Sequence, residues 1–80
     1  MVVIEYDGQR IPAGSLFRDN RASNIRTLRV DGPASQDHVQ LTVIRQEYEG
    51  KVSEPMRITV MTVERLLSKA FVPVGIAAGR

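Results

Sequence analysis

The stretch His38-Val39-Gln40-Leu41-Thr42-Val43 is followed, after Glu47-Tyr48-Glu49-Gly50-Lys51, by Met56-Arg57-Ile58-Thr59-Val60. Apolar and polar residues alternate in both arms, and a turn-forming segment separates them. Successive side chains of a β-strand point to opposite faces, so a period of two marks a strand with one face buried. Val39, Leu41 and Val43 are expected to point inward from one arm, and Met56, Ile58 and Val60 from the other. On that expectation, replacing either Leu41 or Ile58 with Asp unfolds the protein. Ile44 breaks the alternation.

Moving outward, Val2, Ile4 and Tyr6 alternate with Val3 and Glu5 and run into Asp7-Gly8, a dipeptide suited to the tight turn of a hairpin. The chain returns through Gln9-Arg10-Ile11, and Pro12, which has no N–H for a ladder, keeps that strand short. Further strands are expected near 15–18, 25–30, 38–46 and 53–61, with a loop over 19–24 and a turn at Asp31-Gly32-Pro33. Thr62 is placed to cap a single helical turn over 62–67, with Glu64 near its positive end. A short extended piece at 70–74 precedes a frayed tail at 75–80. This order predicts one domain over 1–74, an SH3-like small β-barrel of about five strands with an N-terminal hairpin and one helical turn.

The chain has 80 residues, 42% hydrophobic and 25% charged, which is the balance of a folded domain with one modest core. It contains no cysteine, so disulfides and thiolate chemistry are excluded. Met1-Val2-Val3-Ile4-Glu5-Tyr6-Asp7 lacks the pattern of a secretory leader, and no apolar run reaches membrane-spanning length, so a cytoplasmic protein is expected. The net charge is +2 and the pI about 9.5, but two surplus bases create only a weak mean field.

The strings Gly14-Ser15-Leu16-Phe17-Arg18-Asp19, Arg26-Thr27-Leu28-Arg29-Val30-Asp31-Gly32, Arg57-Ile58-Thr59-Val60, Glu64-Arg65-Leu66-Leu67 and Phe71-Val72-Pro73-Val74 are spread over residues 14–74. In these the chain resembles a group of short uncharacterised proteins from high-GC Gram-positive bacteria and their phages. The resemblance implies the small barrel and a phage-derived origin; it implies no activity.

Ser35, Asp37 and His38, the single histidine, offer a nucleophile, an acid and a base. Neighbouring strand residues point to opposite faces, so Asp37 is not expected to orient His38, and no enzyme is predicted. Glu47, Glu49 and Glu54 flank the hairpin without the histidines of a zinc site or the Asp-rich loop of a calcium site. They suit a charged edge that discourages aggregation. No phosphate loop is present, and no cofactor, metal or small-molecule substrate is expected.

Two binding classes remain. Arg18, Arg21, Arg26 and Arg29 fall within twelve residues that contain one acid, Asp19, and guanidinium groups suit phosphate. With Tyr48 or Phe17 as stacking surfaces, they form a candidate nucleic-acid patch, for which four contacts predict a log–log salt slope between about −2 and −4. Changing Arg26 and Arg29 to Gln is expected to flatten that slope without affecting melting. Against it stand the near-neutral balance and nine arginines to two lysines, a ratio that GC-rich coding also produces. Val3, Ile44 and Met61, with Ile76 from the tail, are apolar residues outside the expected core and form a candidate interaction surface. A protein partner or a second copy is ranked first, and nucleic acid second.

Overall fold

The computed structural model describes residues 3–6, 8–19, 21 and 23–76, with the backbone alone at Val3 and Tyr6. Strands β1 (Val3–Tyr6) and β2 (Gln9–Pro12) form a separate antiparallel hairpin. Gly8 takes φ +81°, which the tight turn requires, while its neighbour Asp7 lies outside the described residues. The main chain path then runs β3 (Ser15–Asp19), β4 (Asn24–Pro33), β5 (His38–Tyr48), β6 (Lys51–Ser53), β7 (Arg57–Thr62), α1 (Val63–Leu66) and β8 (Phe71–Ile76).

These strands make one six-stranded sheet in the order β6-β5-β4-β3-β8, with β7 also on β5. Every ladder is antiparallel. The expected barrel is not closed: among the described residues no ladder joins β8 to β7, so the sheet has two free edges. The molecule measures 37 × 27 × 19 Å, and its short axis has room for about two layers at ~10 Å each.

One layer is the sheet; the other is α1 and the hairpin laid over its concave face. Phe17, Leu28, Val30, Val39, Leu41 and Val43 project from the sheet and meet Val63 and Leu66 of α1, Phe71, and Ile4 and Ile11 of the hairpin. Thr62 caps α1 as its sequence suggests, its Oγ1 accepting the Arg65 N–H at 3.2 Å. The turn before β5 is fixed to the helix by the Val63 N–H, which donates to the Asp37 carbonyl at 2.9 Å. Gly14, at φ +94°, donates its N–H to the Val30 carbonyl at 2.8 Å and so ties the end of the hairpin to the sheet.

Several boundaries differ from those expected. Asp31-Gly32-Pro33 is the end of β4 and not a turn. Val30 pairs with Leu41 and Gly32 with Gln40, which leaves Asp31 as the extra residue of a bulge, and the chain bends over 34–37 instead. Ile44 is likewise the extra residue between the Leu28–Val43 and Thr27–Arg45 pairs, which is why it interrupts the alternation. Gly75 and Ile76 belong to β8, while 77–80 lie outside the described residues.

The largest difference lies in the long hairpin. Near its turn, Gln46 pairs with Ser53 and Tyr48 with Lys51. Had that register continued, Leu41 would face Ile58 and Val39 would face Val60. Instead the segment 54–56 holds one extra residue, Met56 adopts φ +51°, and beyond it Leu41 faces Thr59 and Val39 faces Met61. A slip of one residue exchanges the two faces of a strand. Ile58 and Val60 are therefore 63% and 51% exposed, Met56 is exposed, and Met61 packs against the core.

The hairpin turn also yields a test. Glu49 and Gly50 both have positive φ, 51° and 80°, as a two-residue turn between paired Tyr48 and Lys51 demands. A left-handed conformation is strained for Glu and tolerated by Asn. Glu49→Asn is expected to stabilise the protein by about 0.5 kcal/mol and raise Tm by about 2–4 °C, read by calorimetry.

Candidate interaction surface

The sheet's convex face carries Leu16 and Arg18 of β3, Ile25, Thr27 and Arg29 of β4, Thr42, Arg45 and Glu47 of β5, Val52 of β6, and Ile58 and Val60 of β7, as the cross-strand register requires. Two chemistries share this face. Toward the β5–β7 side it is apolar: Val52, Ile58 and Val60 are all more than half exposed within nine residues, and Met56, exposed as well, lies in the segment that joins β6 to β7. Toward β3 it is basic.

The four expected arginines do not act together. Arg26 points to the concave side, where its Nε donates to Asp19 Oδ2 at 2.5 Å, and the Asp19 side chain is only 3% exposed. Arg29 lies on the convex face, its Nε 3.2 Å from Asp31 Oδ1, and the Thr42 hydroxyl donates to the other oxygen of the same carboxylate at 2.6 Å. Both guanidiniums thus have carboxylate partners, and each pairing withdraws one charge from the expected patch. Arg18 and Arg21 are exposed and have no acidic partner among the described residues.

Arg45 was not part of the expected patch, yet the structure brings it to Arg18. Arg18 pairs with Thr27 across β3 and β4, and Thr27 pairs with Arg45 across β4 and β5, so one threonine stands between two arginines. Together with Ile25, Glu47 and Val74 they line a hollow of about 160 Å³. Positions 18 and 45 are too far apart in sequence for any local charge count to join them. Neither aromatic residue serves this place: Phe17 is buried in the core, and Tyr48, though exposed, extends from the concave side of β5.

Of the expected apolar surface, Met61 packs inward and Ile44 is half-buried at its bulge. Val3 is placed in β1 by its backbone, and its side chain lies outside the described residues. Ile76 is exposed on β8.

Asp37 does reach His38, contrary to expectation: its Oδ1 is 2.8 Å from His38 Nδ1. The strand rule fails because Asp37 sits in the bend before β5, where side chains need not alternate. Ser35 Oγ approaches the same Nδ1 at 3.2 Å. A proton relay needs the acid and the nucleophile on opposite ring nitrogens, so the trio as placed is a set of exposed turn contacts. Glu47, Glu49 and Glu54 do not converge, and no group of three potential metal ligands occurs among the described residues.

Comparison with family models, curated proteins and solved structures finds no match for this chain. The functional reading therefore rests on the surface itself.

A groove of about 400 Å³ runs between β2, β3, β8 and α1, with Ile11, Phe17, Leu66, Phe71, Pro73 and Ile76 on its walls. Its one charged wall residue among those described, Arg10, is 3.7 Å from Glu5, and both are largely exposed. No set of polar groups converges there to orient a ligand. No helix among the described residues is long and apolar enough to cross a membrane.

Proposed function

We propose that this chain is a non-enzymatic assembly module that binds protein through the apolar part of its convex sheet face. The observation that carries this is the slip at 54–56, which turns Ile58 and Val60 away from the core. A methionine in the left-handed region costs about 1–2 kcal/mol, and exposing two large aliphatic side chains forgoes burial energy as well. Both costs fall at one place, beside an exposed Met56, whose flexible side chain adapts to varied contacts. A docked partner recovers them. The strand order, with α1 returning the chain from β7 to pair β8 with β3, supports an SH3-like arrangement left unclosed.

The test is site-specific photo-crosslinking in the native host. A benzophenone side chain at position 58 is expected to yield discrete protein adducts, and the same group at Gln36, in the bend before β5, none. Equal labelling at both positions, or no adduct at 58, would sink this function.

Arg18 and Arg45, flanking Thr27 without acidic partners among the ion pairs described, support nucleic-acid contact as a second function. Glu47 in the same hollow offsets part of their charge. With two or three phosphate contacts, binding to mixed-sequence DNA should weaken with a log–log salt slope of about −2 to −3. Arg18→Gln with Arg45→Gln should flatten it by about two units. Fluorescence polarisation at low salt decides, and absence of binding by the folded protein retires this alternative.

A further inference from the structure

The two free edges of the sheet differ in a way that bears on what covers the apolar face. The β8 edge is blunted: Pro73 in mid-strand offers no N–H, Gly75 takes φ +139°, and the register to β3 shifts between Leu16 and Phe17. The short β6 carries Lys51. Strand β7 has none of these devices. Over Arg57-Ile58-Thr59-Val60-Met61-Thr62 it contains no proline, no lysine, no acid and no bulge, and pairs only with β5 among the described strands. Edges of this kind invite a further strand, and folded proteins otherwise guard against it.

We propose that the β7 edge is a pairing site for a second copy of this chain, joining two sheets antiparallel across a two-fold axis at Thr59. This rests on the protein-docking function proposed above and names its partner. Thr59 would face its own mate, and Ile58 of each copy would face Val60 of the other on the convex side, so that the exposed side chains cover one another. That register keeps inward residues opposite inward ones, as cross-strand pairing requires. It also matches the strand's only charge. Arg57 faces Met61 of the second copy, and the two arginines stand four residues apart, about 14 Å, beyond the screening length at physiological salt. Parallel pairing would set them side by side. The contact is small, so a dimer dissociating in the tens of micromolar is expected and not a permanent one.

Sedimentation velocity of the intact chain from about 5 to about 500 µM tests it, with circular dichroism melts as the folding control. The unmodified protein should pass from monomer to dimer. Ile58→Asp and Val60→Lys, each at an exposed position, should still melt cooperatively, with Tm lowered by no more than about 8 °C, and should weaken the dimer at least tenfold. Mixing the two variants should restore a heterodimer to within a few-fold of the original affinity. The carboxylate introduced at position 58 of one chain then meets the ammonium introduced at position 60 of the other, while the native Val60–Ile58 pair forms on the other side of the axis. A monomer throughout the range, a dimer indifferent to both substitutions, or variants that fail to rescue each other would each overturn the pairing. In the monomer case, a discrete adduct to a different protein from position 58 leaves the docking function standing, whereas no adduct removes both.

Discussion

Leu41→Asp is expected to abolish the cooperative melt, whereas Ile58→Asp should retain it. Leu41 is fully buried between β4 and β7, so the substitution removes a large apolar contact and places a carboxylate where no cation or donor reaches it. Burying an unpaired charge costs several kcal/mol, and a domain of this size is stable by roughly 4–12 kcal/mol. Ile58 is 63% exposed and lies opposite Thr42 on the convex face, where a carboxylate stays in water. Its cost is about 1 kcal/mol, from the poor strand preference of Asp and a little lost packing, or about 4–8 °C in Tm. Circular dichroism of the two variants at low protein concentration separates them. Equal unfolding of both would mean that β7 keeps the register of β6 and that Ile58 faces the core.

Arg26→Gln should be the most damaging of the arginine substitutions. The Asp19 carboxylate is buried at the end of β3 and Arg26 is its ion-pair partner, so removing the guanidinium leaves a charge that water cannot reach. Losing one partner of such a pair costs about 3 kcal/mol, which for this chain lowers Tm by about 12–24 °C. Arg29→Gln is expected to cost about 1 kcal/mol or less. Its pair with Asp31 is partly exposed, and the Thr42 hydroxyl still donates to that carboxylate. Combining Arg26→Gln with Asp19→Asn should recover part of the loss, since two neutral amides replace an orphaned charge. Thermal melts of the singles and the double give the coupling. If Arg26→Gln melts within a degree or two of the original protein, the pair is not structural. The paired change of Arg26 and Arg29 is therefore unsuited to testing nucleic-acid binding, because it perturbs folding first.

Much of the architecture is legible in local sequence. Strands near 15–18, 25–30 and 38–46, the central parts of β3, β4 and β5, follow from alternation and β-branched residues, the turn at Glu49-Gly50 from its glycine, and the cap at Thr62 from its hydroxyl ahead of an apolar turn. The burial of Val39, Leu41 and Val43 follows from the same period of two. Local signals carry these features because each depends on residues within a few positions of one another.

The candidate site was less accessible. Arg18 and Arg45 come together only through two successive cross-strand pairs, and the partners of Arg26 and Arg29 depend on which face each side chain takes. Closure of the sheet is a property of its two outermost strands, which no single segment encodes. Alternation in 56–60 correctly groups Ile58 with Val60 but carries no information about which side of the sheet that group occupies. One extra residue at 54–56 decides it, because a side-chain period of two makes a single-residue slip equivalent to turning the strand over. The sequence by itself determined a small, cysteine-free, mostly β domain and the residues that share each strand face; the tertiary register decided which of those faces meets the core and which is left exposed.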